Sequence, residues 1–359
     1  MPTPTYWDYL SLERLLSLQD GLDDGTPPSP DELHFIIVHQ CFELWFKLVL
    51  SQLRLARDHL AAPRLEEARV PFVVHHLGRV NEVLRLCVEQ FRVMETLPPQ
   101  DFLAFRDRLT PASGFQSFQL REMEIVMGLS DEQRVRYGSI DPVRHIQGIA
   151  GASPGGRMAW SRIEAALAEV PLRDALSAWL ARTPIQGSAP GDPEDGATVA
   201  RFVADYLVHS EAHQRAGLET LVAALGEEQR PAITAKVEAS MAATAKFLTP
   251  EDAATRRARA GLLFIESYRE LPLLAWPRLL LDTVVELEEQ LLLWRNRHAR
   301  MVERTIGRRV GTGGSSGVEY LDQTTAYRVF PDLWAVRTAL LPREKLPVLE
   351  HPEKYGFAG

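Results

Sequence analysis

Cysteine is all but missing. Only Cys41 and Cys87 occur in 359 residues, each within an apolar, helix-like run, which excludes a disulfide framework and gives no sign of thiol chemistry. The two read as reduced structural thiols of a cytoplasmic protein. Positive charge is also in short supply. The formal net charge is −8 and no basic block stands out, which argues against nucleic acid or an anionic membrane as a partner. The N-terminus, MPTPTYWDYLSLERLL, has no basic region followed by an apolar one, so no export signal is evident. The most apolar late stretch, Leu271 to Trp294, is broken by Pro277, Arg278, Asp282 and several glutamates and cannot span a bilayer. Alternation with a period of two is sustained nowhere, no internal repeat occurs, and no composition shift or long linker divides the chain. With 45% apolar and 25% charged residues the composition is that of a soluble globular protein, and the simplest expectation is a single all-α domain over residues 1–359.

What is present concentrates in Trp294 to Leu321, WRNRHARMVERTIGRRVGTGGSSGVEYL, an amphipathic helix that runs into a glycine-rich loop. Trp294, His298, Met301, Val302 and Ile306 share one apolar stripe, with Arg295, Arg297, Arg300, Glu303, Arg304 and Arg308 mostly on the other faces. A neutral imidazole among apolar side chains is either a core histidine bonded to a neighbour or a ligand for haem iron, whose porphyrin needs apolar walls. From Gly311 to Gly317 four of seven residues are glycine, so the backbone can lie close to a ligand while Thr312, Ser315 and Ser316 offer hydroxyls. That is the chemistry of an anion or zwitterion cradle, with a flexible linker as the alternative. It is not a P-loop, because the GxxxxGK[ST] lysine is missing and no alternating strand leads into the glycines.

Upstream, Tyr6 to Asp20 reads as one short helix stopped at Gly21, and its Tyr6 and Tyr9 share a face that so short a helix cannot bury alone. Pro30-Asp31-Glu32 opens a long helix that Ile36, Ile37, Val38, Phe42, Leu44, Trp45 and Phe46 make apolar nearly all round, so it is expected to be buried. Phe35 and His39 lie four apart on one face of it. His39 is then a second buried histidine, either satisfied in the core or accepting a hydrogen bond from a ligand. A third helix is expected over Pro71 to Glu95, carrying Phe91. In QDFLAFRDRLTPASGFQSFQLREMEIVMG, Phe102 and Arg106 are again four apart, and Arg106 needs a partner: Asp101 or Glu95 in an ion pair, or a substrate carboxylate. Arg136 to Gly156 reads as turn-rich and Thr183 to Gly196 as a surface loop. Helices are expected over Met158 to Arg182, Ala197 to Leu225, Pro231 to Phe247, Pro250 to Arg269 and Pro277 to Arg308, with a mixed tail from Tyr320 to Arg343. His209 and His213 have the spacing of a metal-binding pair, but the segment is HSEAH and not HExxH, and no third ligand is apparent.

Taken together, RHARMVERTIGRRVGTGGSSGVEYL resembles the signature of the tryptophan 2,3-dioxygenase family. The likeness continues in family order through YWDYLSLERLLSLQ, DELHFIIVHQCFELWFK, ETLPPQDFLAFRDRLTPASGFQS and SYRELPLL, which together span most of the chain. The resemblance implies an all-α helical-bundle domain that encloses haem b and assembles as a homotetramer. It implies insertion of both atoms of O₂ across the indole C2–C3 bond of L-tryptophan, giving N-formylkynurenine. By position, His298 matches the proximal ligand of the haem iron, and His39 the distal histidine that contacts the indole N–H. Phe35 matches an aromatic wall of the pocket, Arg106 the arginine that clamps the substrate carboxylate, and Thr312 the loop threonine that meets the amino-acid head group. Tyr6, Tyr9 and Leu10 match residues that reach into a neighbouring subunit's site, so residues 1–20 would be exchanged between subunits. Phe102 stands where some members have a tyrosine that also touches the carboxylate, which leaves the clamp to Arg106 and Thr312. Phe91 stands where some have tryptophan. Two other readings are a relative that oxidises a modified tryptophan to an oxindole-type product and a non-catalytic haem or gas sensor, although a sensor would not need Arg106.

Overall fold

Capping side chains and prolines cut the chain into helices. A computed structural model describes residues 3, 5–21, 26–110, 112, 114–136, 141–309 and 317–357. In chain order the α-helices are α1 (Tyr6–Tyr9), α2 (Leu12–Leu15), α3 (Pro30–Ala61), α4 (Val70–Met94), α5 (Pro99–Arg106), α6 (Phe118–Met127), α7 (Pro142–Ile149), α8 (Pro154–Leu167), α9 (Leu172–Leu180), α10 (Asp195–Leu225), α11 (Arg230–Leu248), α12 (Ala253–Ser267), α13 (Ala275–Ile306), α14 (Gly317–Thr324) and α15 (Pro331–Ala339). Among the described residues there is no strand, only an isolated bridge between Ile185 and Ser188, so the all-α expectation holds.

The helix starts follow local chemistry. The Asp141 carboxylate accepts from the amides of Val143 (2.8 Å) and Arg144 (3.0 Å) and opens α7, with Pro142 in its first turn. Ser153 Oγ accepts from Gly156 N at 2.9 Å to open α8, and Asp252 from Thr255 N at 2.7 Å to open α12. Gly128, with φ 111°, closes α6 where a side chain would be strained.

Several expected elements differ. The N-terminal helix is two single turns, α1 and α2, because Ser11 at φ 49° breaks the helical path between them. The helix expected over Met158 to Arg182 is split into α8 and α9 by Pro171, which has no amide hydrogen to continue the ladder. The stretch read as turns contains α7, and the mixed tail contains α14 and α15. Helix α3 is only partly buried, with Leu33, Ile37, Leu44 and Leu55 exposed along one side.

The chain forms two compact units. The first comprises Met1–Gln52, Arg79–Glu169 and Glu289–Tyr327. Within it α6 packs against α7 and α8, and every residue of α6 from Gln119 to Met127 is buried, charged ones included. Cys87 is buried there, and burial pushes its thiol up to about 12, while Cys41 is half-buried. By length and composition α3 also passes as a membrane-crossing helix, a test that core helices of soluble proteins pass too. Its Glu43 accepts hydrogen bonds from Ser117 (2.8 Å) and Gln119 (2.7 Å), which ties it to protein.

The second unit comprises Leu53–Gly78, Val170–Glu288 and Arg328–Gly359. Here α10 packs on α11, and α12 on α9. At Gly261 of α12 an added Cβ would come within 2.3 Å of Leu180 O, so glycine is what permits that approach. The buried Glu288 carboxylate accepts from Val329 N, from Phe330 N (3.1 Å) and from Trp334 Nε1, which anchors the start of α15.

Candidate active site

Six helices of the first unit converge on one cavity. Phe35 and His39 come from α3, Met94 from α4, Phe102 and Arg106 from α5, and Leu120 and Arg121 from α6. Helix α13 contributes His298, Met301, Val302, Thr305 and Ile306, the stripe expected from the sequence with Thr305 added and Trp294, which packs behind His298, left out. Gly114 and residues Gly317, Tyr320 and Leu321 of α14 complete the lining.

His298 sits against Phe91, whose ring is stacked on it at 5.7 Å, and against Trp294 at 5.1 Å. Its Nδ1 is buried with no protein partner, which leaves Nε2 on the cavity side. Burial, then the neighbouring His39, Arg295 and Arg121, lower its pKa to about 3, so the ring is neutral at physiological pH. A neutral imidazole presents a lone pair to a metal. One such nitrogen cannot hold a bare ion. It suits a metal that brings its other ligands in a macrocycle, and the aliphatic walls around it suit the faces of that macrocycle.

His39 is organised differently. Its Nδ1 lies 2.8 Å from the Phe35 carbonyl, which can only accept, so Nδ1 carries the proton and Nε2 carries the lone pair. Burial lowers its pKa, opposed in part by the Phe35 carbonyl and Glu43. The sequence reading of a fully buried His39 is corrected, because its ring surface is open to the cavity it lines. Phe35 packs 4.0 Å from that ring and 5.7 Å from both Phe102 and Phe105, which makes an aromatic wall.

Arg106, half-buried at the end of α5, lines the same cavity. Glu95, one of its two expected ion-pair partners, is held by Arg297 at 2.8 Å and Arg304 at 3.4 Å. The structure therefore brings Phe35, His39, Phe102, Arg106 and His298 together. Tyr6 (72% exposed), Tyr9 (79%) and Leu10 do not line the cavity. Thr312 falls in residues 310–316, outside the described residues. His209 Nδ1 bonds to the Lys345 carbonyl at 2.8 Å, and among the described residues no group of three potential metal-ligating side chains forms.

The sequence reading missed a buried charged cluster beside the cavity. Arg295 Nη2 meets Glu124 Oε1 at 2.5 Å, and Arg121 Nη1 meets Glu124 Oε2 at 3.0 Å and Tyr320 Oη at 3.3 Å. The Arg295 guanidinium lies over the Tyr327 ring, 4.6 Å from its centre. The available signal was that α6 and α13 each carry charges at positions facing apolar neighbours, but charged residues on a helix are ordinarily read as its solvated face.

Comparison with known proteins gives a consistent result. The model of the family described as tryptophan 2,3-dioxygenase matches residues 2–340. A protein named tryptophan 2,3-dioxygenase from Sorangium cellulosum is 46% identical over 98% of this chain and 87% of its own length. One named tryptophan 2,3-dioxygenase 2 from Ralstonia nicotianae is 45% identical over 100% of this chain and 99% of its own. A tryptophan 2,3-dioxygenase-like protein from Xanthomonas campestris is 47% identical over 72% of this chain and 97% of its own.

Proposed function

The chain belongs to the tryptophan 2,3-dioxygenase family, and from that premise we propose how its own residues oxidise L-tryptophan with O₂ to N-formylkynurenine. The observation that carries the reading is the meeting of His298, His39 and Arg106 in one cavity with aromatic and aliphatic walls.

His298 would hold the iron of haem b through Nε2, with Met94, Leu120, Met301, Val302 and Ile306 as apolar walls. The bound haem supplies the O₂ chemistry, and the protein's share is position and exclusion of water. Arg106 offers a planar, two-pronged donor to the substrate carboxylate, with Thr312 as the expected second contact to the head group. His39 Nε2, an acceptor because Nδ1 donates to Phe35, takes the hydrogen bond of the indole N–H and so fixes the ring's angle. The indole N–H is too weak an acid for His39 to be assigned proton transfer, so its role is orientation. Phe35 and Phe102 flank the ring and keep water out.

The same reading includes a homotetramer in which Tyr6, Tyr9 and Leu10 close a neighbouring subunit's cavity. Exposure of these side chains and of Trp7, together with the apolar side of α3, supports it, since such a patch on a lone subunit calls for a partner. Three of the five boundaries between the two compact units fall within α3, α4 and α13, where no linker exists, which supports one haem-dioxygenase domain over residues 1–359. A reduced, cytoplasmic setting fits the two free thiols.

The test is an absorption spectrum of the purified protein followed by mass spectrometry of the product formed from L-tryptophan under ¹⁸O₂. A Soret band and a product carrying both labelled atoms are expected. A product with one added oxygen would favour the oxindole-forming relative, and haem without turnover the sensor.

A further inference from the structure

A histidine that holds a metal needs its ring orientation fixed, and a hydrogen bond at the far nitrogen is the usual means. His39 has such a bond, to the Phe35 carbonyl, but among the described residues His298 Nδ1 has no hydrogen-bond partner. Other rings surround His298 instead. Phe91, from α4, lies nearly parallel to the imidazole, with 12° between the planes and 5.7 Å between the centres. Trp294, one turn earlier on α13, meets it at 42° and 5.1 Å. Phe91 and Trp294 are themselves 5.6 Å apart, so the three rings form one closed group.

That group is backed by the helix that carries His39. Phe42 of α3 lies 5.0 Å from Phe91 and edge-on to Trp294 at 6.1 Å, and Phe46 meets Trp294 edge-on at 5.6 Å. All four aromatic side chains are buried, Phe91 to 1% exposure. At the packing density of a protein interior, none of them can give way without moving the others. Turning the imidazole about its Cβ–Cγ bond would swing the ring's edge into the face of Phe91. The turn has a chemical cost as well. A half turn puts Cε1 where Nε2 stood, and that carbon offers no lone pair.

We propose that Phe91 and Trp294 are positioning residues for His298, whose imidazole they hold in one plane by face contact, keeping Nε2 turned to the cavity that His298 lines. The proposal rests on the haem reading above, in which that nitrogen holds the iron. Because Phe42 stands three residues beyond His39, the same contacts register the helix of the second histidine against the first.

The experiment reads the iron–histidine stretching band of the five-coordinate ferrous protein by resonance Raman spectroscopy, with thermal unfolding and the rate of haem transfer to apomyoglobin measured beside it. The unmutated protein is expected to give a single narrow band. Phe91→Leu keeps an apolar side chain but removes the flat face. Its band should broaden or split, and haem loss should quicken by about twofold to tenfold, the effect of losing one ring contact. Phe91→Trp restores a flat face and should restore the single band. Trp294→Leu should broaden the band in the same way, and Trp294→Phe should leave it narrow. A merely structural role would lower thermal stability and leave the band of every folded variant single and unshifted, and that result overturns the proposal. A split band in the unmutated protein overturns it too, with no variant needed. An unmutated protein with no Soret band overturns the haem reading and this inference together, whereas a normal histidine-ligated spectrum whose band is unchanged in both leucine variants overturns this inference alone.

Discussion

Arg106→Leu separates a carboxylate clamp from a structural arginine. Arg106 and Phe102 stand one turn apart on α5 and both line the cavity, so a carboxylate arriving there finds a guanidinium with a phenylalanine, not a tyrosine, one turn before it. A charge-assisted bond of this kind contributes about 1.5–3 kcal/mol, and about 1.4 kcal/mol is a factor of ten. Loss of the side chain should therefore lower kcat/KM for L-tryptophan by about tenfold to a hundredfold. Arg106 is half-buried, so water can reclaim part of the orphaned carboxylate's solvation, and the lower end of that range is expected. The assay compares L-tryptophan with 3-methylindole, which has no carboxylate, on the original protein and on the variant at equal haem content. The tailless substrate should be poor throughout and should lose little more in the variant, because the contact removed was never made. Equal proportional losses for both substrates would refute the clamp and make Arg106 a structural residue.

Removing the first ten residues should weaken assembly and raise KM together, as read by analytical ultracentrifugation and steady-state kinetics. A truncated protein with unchanged oligomeric state and kinetics would return Tyr6 and Tyr9 to ordinary packing. Protonation of His39 removes its acceptor lone pair, so activity is lost on the acid side, and because its pKa lies below 6.5 the kcat/KM for tryptophan should hold from neutral pH through that value. A loss centred at or above 6.5 counts against the assigned tautomer. Gly261→Ala would drive a Cβ to 2.3 Å from Leu180 O, a backbone atom that yields only with its helix. It should destabilise the protein by about 1–3 kcal/mol in denaturant unfolding, and no change would show that α9 and α12 stand further apart.

Most of the helices were legible because apolar periodicity and the prolines at their starts are local signals. The errors have local causes too. Ser11 adopts a left-handed conformation that nothing in its residue type announces, and Pro171 falls inside a stretch whose periodicity runs on across it. Helix α7 is eight residues long, too short for periodicity to register, although Asp141 and Pro142 form a cap and first turn that could have signalled it. In the cavity, His298, His39, Phe35, Phe102 and Arg106 were recovered from i, i+4 spacing and family likeness. Arg121, Glu124 and Arg295 were not. Glu124 and Arg295 are 171 positions apart, and only the folded chain shows that each is the reason the other can be buried.

The hydrogen bond that orients His39 ends on the backbone oxygen of Phe35, within its own helix. A main-chain carbonyl cannot be deleted by changing any side chain, so mutation has no means of turning the His39 lone pair away from the cavity short of replacing His39 or breaking α3. Variation can reach the walls, Phe35 and Phe102 among them, while the direction of the acceptor stays constant. A lineage adapting to indoles of other shapes would therefore explore pocket volume freely and keep the same point of attachment for the ring nitrogen.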